Sequence, residues 1–423
     1  MRRRIPLILV LALSCESSSP LPASDLDASA DAKLDASPAI EEDAAIPCGA
    51  SGVSKGPWVL AMTATSVKVR WEACRKGAAP GLTFTPEAGG HSAQAPSVAA
   101  PFEVTNTYGA ALNPGAPRDV AGTYYMHEVP LSGLSPSTCY RYALTADPSA
   151  AGRFCTSRRP GDPVRFMAIG DTNPTLGDST ANVLRSALPR NPDFVLHGGD
   201  IQYYDSTLET WAAWFPIMAP MLRQGAFLAA IGNHESEKPD EFEQYTRRFF
   251  GGSGEGNDSY YRFESGGIAF FALDTEQKLT PGSAQATWLS GSLADASAKP
   301  GYRFSVVYLH RPLVTCGDSG QDDAARRYFA PIFARHKVPL VFQAHMHGYE
   351  RFDLDGITYV TSAGGGGRMG DVNENVARPE CASRKASGPF FHAVIVDVGP
   401  GSLTGVAIDD RGATRDTFQL TVP

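Results

Sequence analysis

Five short polar segments in the second half of the chain each end or follow an apolar, strand-like run. They are Gly-Asp-Thr-Asn at 170–173, Gly-Asp-Ile-Gln-Tyr at 199–203, Gly-Asn-His-Glu at 232–235, Val-Tyr-Leu-His at 307–310 and His-Met-His at 345–347. In α/β sheets, sites assemble where the strands end at their carboxyl side, so all five segments can converge on one point.

The side chains in these segments are of the kinds that bind hard or borderline metal ions. They offer carboxylate, carboxamide, phenol and imidazole donors and no thiolate, which excludes soft-metal sites. The seven donors are Asp171, Asp200, Tyr203, Asn233, His310, His345 and His347. If one donor binds both ions, the seven donors supply four protein ligands to each of two metal ions. Two neighbouring cations repel each other, which favours a carboxylate as the bridging ligand. Such a metal pair clamps a phosphoryl group and supplies hydroxide at neutral pH.

Each segment alone has a more ordinary interpretation. A Gly-Asp pair after a strand is usually a turn in which the aspartate accepts backbone hydrogen bonds. A single histidine such as His310 is more often a satisfied core residue. The metal hypothesis therefore depends on all five segments occurring together, each at a strand end.

The series Asp171, Gly-Asp-x-x-Tyr, Gly-Asn-His-Glu, Val-x-x-His and His-x-His resembles that of the purple acid phosphatases, a branch of the calcineurin-like metallophosphoesterases. The resemblance covers about residues 164–361. Ordinary metallophosphoesterases carry Asp-x-His in the first segment. Here Asn173 replaces that histidine, and Tyr203 is the residue that defines the branch.

The resemblance implies a dinuclear centre of Fe(III) and a divalent ion, which the sequence leaves open between Zn, Fe and Mn. Fe(III) is expected on Asp171, Tyr203 and His347, and Asp200 is expected to bridge. The divalent ion is expected on Asn233, His310 and His345. His234 is expected to act as an acid/base or phosphate-binding residue.

Some positions depart from the family pattern. Ala344 replaces the usual Gly before His345, and the loop after His310 lacks the further histidines that plant members use to protonate the leaving group. His234 is therefore the candidate for that protonation. Asn173 and Arg311 are candidate substrate contacts, although a surface salt bridge would explain Arg311 equally well.

The function predicted from these residues is hydrolysis of small phosphate monoesters, with a metal-bound hydroxide as nucleophile. A phosphodiesterase or nucleotide pyrophosphatase could use the same metals. A third interpretation is a non-catalytic surface lipoprotein whose metal site is structural.

The elements around these segments change character along the chain. Residues 48–160 show short strands of period two with turn-rich connections, which predicts an all-β sandwich. The stretch 131–142 in it looks like the E–F corner of a fibronectin type III domain. From 161 to 423, apolar strand runs alternate with helix-like segments, which predicts an α/β domain. The resemblance makes this a four-layer αββα metallophosphoesterase domain.

The first 46 residues are predicted to be a targeting signal and a tether. Residues 2–4 are arginines and 5–13 are apolar, a run too short to span a membrane. Cys15 follows in a sequence typical of a bacterial lipoprotein cleavage site, although Ala12 stands where Leu is preferred. A plain secretory signal is the alternative. Residues 16–46 hold eight acidic residues and one lysine, and almost no large apolar groups.

Charge and cysteine content agree with an exported enzyme that acts on small molecules. The formal net charge of −8 comes largely from the tether, so the body carries no basic surface suited to nucleic acid. Beyond Cys15, six cysteines remain, and an even number in an exported chain indicates disulfides. Sequence neighbourhood favours Cys48–Cys74, Cys139–Cys155 and Cys316–Cys381, but sequence alone leaves the connectivity open.

The lipid anchor is tested by replacing Cys15 with Ala. We expect the wild-type protein in the membrane fraction, outside the cytoplasm, and Cys15→Ala in the soluble fraction. Replacement of Ser14 with Ala is the matched control and should leave the protein membrane-bound. A wild-type protein that carries no lipid by mass spectrometry would contradict the prediction.

Overall fold

The computed structural model describes residues 48–104, 119–174, 176–203, 211–236, 242–280 and 282–423, without the side chain of Gln244. The predicted signal and tether, residues 1–46, lie outside these ranges, so that prediction stays untested. Among the described residues, no helix has both the length and the apolar character needed to cross a membrane.

The N-terminal region, as far as residues 48–104 and 119–155 describe it, has eight strands in two antiparallel sets. The strands are β1 (Val53–Leu60), β2 (Val67–Ala73), β3 (Gly81–Pro86), β4 (Ala93–Pro96), β5 (Val98–Val104), β6 (Gly122–Leu131), β7 (Cys139–Leu144) and β8 (Asp147–Cys155). One set has the order β1-β2-β6-β5 and the other the order β4-β3-β7-β8. Trp71, Tyr142 and Phe154 lie in the core between them.

A tyrosine fixes the corner that resembles a fibronectin domain. The Tyr140 hydroxyl accepts a hydrogen bond from the backbone N–H of Ser135, at 2.9 Å. This is the tyrosine-corner arrangement of immunoglobulin-like sandwiches, in which a tyrosine binds backbone a few residues upstream. The β-rich N-terminal region is therefore consistent with a fibronectin type III-like domain.

The described part of the second region contains two further groups of strands and four α-helices. Its strands are β9 (Val164–Ile169), β10 (Phe194–His197), β11 (Ala226–Ala229), β12 (Glu255–Gly256), β13 (Tyr261–Ser265), β14 (Ile268–Ala272), β15 (Phe304–Tyr308), β16 (Leu340–Gln343), β17 (Tyr349–Leu354), β18 (Ile357–Ser362), β19 (Arg384–Gly388), β20 (His392–Gly399), β21 (Ser402–Asp409) and β22 (Thr414–Thr421). The helices are α1 (Ser179–Ala187), α2 (Trp211–Leu222), α3 (Ala284–Ser297) and α4 (Asp323–Arg335). Short 3₁₀ segments lie at Leu188–Arg190 and Pro379–Ser383, and a π-helical segment at Gln244–Phe250.

Two sheets face each other in the second region because their strands are apolar on both sides. Strands β9, β10 and β11 are parallel neighbours in one sheet, and β14, β15, β16 and β18 are parallel neighbours in the other. Phe166 of the first sheet packs edge-on against Phe270 and Phe342 of the second, with ring centroids 5.3 and 6.0 Å apart. Alternate residues such as Met167 and Phe271 face outward, toward helices α1 and α2 on one side and α3 and α4 on the other. The predicted αββα layers are confirmed.

The N-terminal region is joined to the catalytic sheet by strand pairing. β1 pairs in parallel with β11 at Val59 and Ala226, so one ten-stranded sheet runs from β22 through β9, β10 and β11 to β5. The boundary predicted between residues 160 and 161 separates two sequence patterns, but hydrogen bonds of the sheet cross it. Without β1, the site-bearing strand β11 would be an exposed edge.

The six cysteines form three disulfides in the pairing that sequence neighbourhood favoured. These are Cys48–Cys74, Cys139–Cys155 and Cys316–Cys381. Cys316 is fully buried and lies in the loop that follows the segment 307–310. The third bridge therefore ties this loop to the 3₁₀ segment Pro379–Ser383.

A buried ionic network also joins the two regions. Lys55 and Arg248 each bind both Glu72 and Asp119, at distances of 2.6–2.8 Å, and the four side chains are 0–4% exposed. Arg248 belongs to the π-helical segment, whereas the other three residues lie in the N-terminal region. The two positive and two negative charges balance, so removal of one leaves a buried charge uncompensated.

Replacing Arg248 with Met should therefore lower the free energy of unfolding by about 3–5 kcal/mol, as expected for breaking a buried ion pair. The measurement is chemical denaturation followed by tryptophan fluorescence. Arg247→Met is the matched control, because Arg247 is exposed and its ion pair among the described residues is with Glu243, one turn away. Equal stability of the two variants would show that the network contributes nothing to the junction.

Candidate metal centre

The five polar segments predicted from the sequence meet at one edge of the facing sheets. Asp171, Asp200 and Asn233 follow the parallel strands β9, β10 and β11. His310 and His345 follow the parallel strands β15 and β16 of the other sheet. The carboxyl ends of both sets of strands therefore contribute to the same point.

One group of side chains surrounds the Nε2 atom of His310. This atom lies 3.0 Å from His345 Nδ1, 3.1 Å from Asn233 Oδ1 and 3.3 Å from Asp200 Oδ1. The other ring nitrogen, Nδ1, lies 3.0 Å from the carbonyl oxygen of Gly198. Because a carbonyl only accepts, Nδ1 carries the proton that it donates there, and the lone pair of Nε2 points toward the group.

A second group surrounds the Nε2 atom of His347. The Tyr203 hydroxyl lies 2.9 Å from this atom and 3.4 Å from Asp171 Oδ1, and Asp171 Oδ1 is 3.3 Å from the same nitrogen. His347 Nδ1 lies 2.7 Å from the carbonyl oxygen of Arg368. The same tautomer argument therefore directs the Nε2 lone pair inward.

Asp200 belongs to both groups. Its carboxylate shares one cluster with His310 and His345 and another with Asp171 and His347, and the ligand atoms of each cluster lie within 4.8 Å of one another. A carboxylate with two oxygens at the junction of two donor sets is suited to bridge two cations.

The pKa values show that the site attracts positive charge. Burial opposes the charged form of His310, but the carboxylate of Asp200 outweighs it and raises its pKa to about 10. Burial likewise opposes the charged form of His347, and Asp171 raises its pKa to about 9. Burial would raise the pKa of Asp200, yet His310 holds it well below the usual range. Cations would take the places of these ring protons, so the donors present fit a pair of metal ions.

Comparisons with known proteins agree with this geometry. The calcineurin-like phosphoesterase family matches residues 164–349. Probable purple acid phosphatase 20 of Arabidopsis thaliana is 26% identical over 268 residues, which cover 58% of this chain and 61% of that protein. Purple acid phosphatase 22 of the same plant is 26% identical over 286 residues, covering 63% and 64%. The chain thus spans less than two thirds of the length of these relatives.

A purple acid phosphatase isolated from yellow lupin (Lupinus luteus) seeds has the same fold, with a TM-score of 0.69, 18% identity, and coverage of 87% of this chain and 74% of that one. The chain contains a calcineurin-like metallophosphoesterase domain. Its homologues include purple acid phosphatases.

Three residues of the metallophosphoesterase site have backbone conformations that side chains rarely adopt. Asp171, Asp200 and His345 have φ values of 58°, 50° and 67°. Each such residue costs on the order of 1–3 kcal/mol and persists only where its surroundings enforce it. The sharp turns let these residues point back over the ends of their own strands.

Glu235 enforces one of these turns, a role that the sequence analysis did not assign. Its carboxylate accepts hydrogen bonds from the backbone N–H groups of Asp200, Ile201 and Gly232, at 2.8–2.9 Å. Burial and the nearby Asp200 raise the pKa of Glu235 to about 8, while the backbone donors oppose this rise. In the sequence, Glu235 was marked only by its position in the polar segment 232–235.

Ala344, the residue that departs from the family pattern, fits against two glycines. A side-chain carbon at Gly170 or Gly198 would lie within 2.9 Å of the Ala344 methyl group. The methyl group of Ala344 therefore occupies space that these glycines leave, and His345 still reaches the metal centre.

The remaining predicted site residues lie at or near the centre. The His234 ring centroid is 4.4 Å from that of Tyr203, and His234 Nε2 is 3.8 Å from Asp200 Oδ2. Asn173 is buried in the loop after β9. Arg311 Nη1 is 3.3 Å from His345 Nε2. Tyr204, the alternative phenol ligand to Tyr203, lies outside the described residues, and the ligand roles themselves stay predictions.

A large cavity lies apart from this centre. About 600 Å³ in volume, it lies between the two regions and is lined by residues that include Met62, Leu131 and Phe263. Its lining includes none of the seven candidate ligands. The candidate site is therefore located by its donor side chains and not by the size of a cavity.

Replacing Glu235 with Gln should weaken metal binding by about 10–100-fold, as expected for a residue whose hydrogen bonds orient a metal ligand without contacting the metal. Gln offers one acceptor oxygen and an NH₂ group, so at least one backbone N–H at Asp200, Ile201 or Gly232 loses its partner. Metal affinity measured by calorimetry checks this. Glu264→Gln, an exposed carboxylate paired with Lys299, should bind metal like the wild type. If the metal affinity of Glu235→Gln equals that of the wild type, Glu235 does not support the metal ligands.

Proposed function

We propose that the protein hydrolyses phosphate monoesters at a dinuclear metal centre. The observation that carries this proposal is the convergence of seven donors into two groups that share Asp200. When bound, a metal pair supplies Lewis acidity toward phosphoryl oxygens and a nucleophile at neutral pH. The purple acid phosphatase relatives support the same reaction.

The protein side chains have separate tasks in this proposal. Asp171, Tyr203 and His347 would hold Fe(III), and Asn233, His310 and His345 would hold a Zn, Fe or Mn ion. Asp200 would bind both ions. The carbonyls of Gly198 and Arg368 keep the imidazole protons of His310 and His347 on the outer nitrogens, so the inner lone pairs stay available.

His234 is the proposed proton donor for the leaving group. Its backbone N–H binds Asp200 Oδ1 at 3.1 Å, and its side chain is 13% exposed, so the ring lies beside the centre and reaches solvent. Hydrolysis breaks the bond between phosphorus and the ester oxygen. The oxygen of water adds to phosphorus, a proton held on His234 passes to the departing alcohol, and the proton that water loses returns to His234.

We also propose that the protein is exported and lipid-anchored through Cys15. The basic, apolar and cysteine-containing sequence of residues 1–15 supports this, and so do three disulfides, which persist in oxidising compartments.

The ferric site is tested by visible absorption after iron loading. A phenolate donates charge to Fe(III) and produces a visible band, so the loaded wild type should be coloured. Tyr203→Phe should be colourless and should keep more activity than Asp200→Ala, which removes the ligand shared by both groups. Tyr125→Phe, a half-buried tyrosine of β6, is the control and should keep the colour.

Activity is measured with phenyl phosphate, bis-p-nitrophenyl phosphate and a nucleoside triphosphate after loading with each candidate metal. Preferred hydrolysis of the monoester supports the proposal. Preference for the diester or the triphosphate would replace it with a phosphodiesterase or pyrophosphatase function. Metal binding without hydrolysis of any ester would favour a binding protein, and a colourless loaded wild type would remove the ferric assignment alone.

A further inference from the structure

Arg311 is held beside the metal centre by Glu276, a residue that follows strand β14 of the second sheet. Glu276 lies in the loop after β14 and binds Arg311 through two parallel hydrogen bonds, Nε to Oε1 at 2.7 Å and Nη2 to Oε2 at 2.8 Å. The backbone N–H of Arg311 donates to Thr275 Oγ1 at 3.0 Å. These contacts fix the plane of the guanidinium group, and Nη1 extends toward His345.

The contact between Arg311 and His345 brings two donors together. Arg311 Nη1 and His345 Nε2 are 3.3 Å apart, and an arginine can only donate. His345 directs Nδ1 toward His310 and the metal centre, so as a ligand it carries its proton on Nε2. The two N–H groups cannot then satisfy each other. An acceptor oxygen between them would satisfy both.

These two donors line a pocket of about 360 Å³ beside the centre. Its other side includes Gln321, Asp322 and Asp323 at the start of helix α4. Asp322 accepts a hydrogen bond from the backbone of Ala325, and Asp323 accepts one from Gln321 Nε2. Each carboxylate still has lone pairs that can accept from a ligand.

The charges in this pocket disfavour an anion. Glu276 already neutralises Arg311, and Asp322 and Asp323 add two negative charges. Nothing among the described residues lining the pocket supplies a second cation. A pocket with donors on one side and acceptors on the other, and a net negative charge, matches alcohol hydroxyl groups, which both accept and donate.

We propose that this pocket binds the leaving group of the substrate and selects neutral, hydroxyl-bearing alcohols. Arg311 and the Nε2–H of His345 bind the oxygen of one free hydroxyl group of the alcohol, and the acidic wall accepts from hydroxyl groups. Glu276 is a positioning residue that acts through Arg311. This inference rests on the proposed phosphomonoesterase function and specifies its substrate class as polyol phosphates.

The first test compares glycerol 3-phosphate with 3-phosphoglycerate, which differ in one group, CH₂OH against carboxylate. We expect kcat/KM to favour glycerol 3-phosphate at least about tenfold, because like charges facing each other are costly. Asp323→Asn should reduce this preference, and Asp295→Asn on the exposed face of helix α3 should leave it unchanged. Equal use of both esters, or preference for 3-phosphoglycerate, would overturn the proposal.

The second test isolates Glu276. Glu276→Gln should raise KM for glycerol 3-phosphate several-fold with little change in kcat, as expected when only leaving-group binding is lost. Phenyl phosphate lacks a second polar group, so its KM should stay unchanged. An equal effect on both esters would mean that Glu276 has a general structural role.

Binding without turnover separates failure of this inference from failure of the proposed function. Calorimetry on the zinc-loaded protein compares 3,4-dihydroxybutylphosphonate with 2-hydroxy-4-phosphonobutanoate, which carries a carboxylate in place of the terminal CH₂OH. Tighter binding of the diol, lost in Glu276→Gln, supports the pocket even if no ester is hydrolysed. Equal binding of the two phosphonates overturns it, even if phenyl phosphate is hydrolysed.

Discussion

Asp200 must serve two groups of donors at once, and much of the fold can be understood as the support for that position. It follows a central strand, β10, with Asp171 on one neighbouring strand and Asn233 on the other. Its backbone is left-handed, and two of its contacts are backbone hydrogen bonds, from Asp200 N to Glu235 and from His234 N to its carboxylate. A carboxylate fixed by these contacts would direct its two oxygens toward both donor groups, as the proposed bridging role requires.

Both facing sheets are needed to supply the donor side chains of the candidate metal centre. Parallel neighbours place their carboxyl ends at the same edge, but the loops after β9, β10 and β11 carry four of the seven candidate ligands, and the second sheet carries the other three. Packing through Phe166, Phe270 and Phe342 sets the second sheet so that His310 and His345 reach the donors of the first. The aromatic core between the sheets therefore determines the geometry of the polar cluster at their edge.

The sequence was sufficient for the α/β alternation and the position of the site because both depend on local patterns, whereas the four layers were implied by the family resemblance. Apolar runs such as 164–169 are buried on both faces, and the polar segments after them identify the site edge. It was not sufficient for Glu235 and Glu276, whose partners are backbone N–H groups or a side chain distant in sequence. Nor did it indicate that β1 pairs with β11, because a short edge-to-edge contact needs only aligned backbones and leaves no residue pattern.

The junction between the two regions has consequences for the metal centre. β11 leads directly to Asn233, His234 and Glu235, and β1 covers the open edge of that strand. On the same side, Trp58 and Arg70 donate hydrogen bonds to the carbonyl of Phe249, and the network of Lys55, Glu72, Asp119 and Arg248 holds the π-helical segment. Since Lys55, Glu72 and Asp119 all lie in the N-terminal region, loss of Arg248 from the junction would leave that group with one uncompensated negative charge. The N-terminal region thus supports β11, the strand whose following loop contains Asn233.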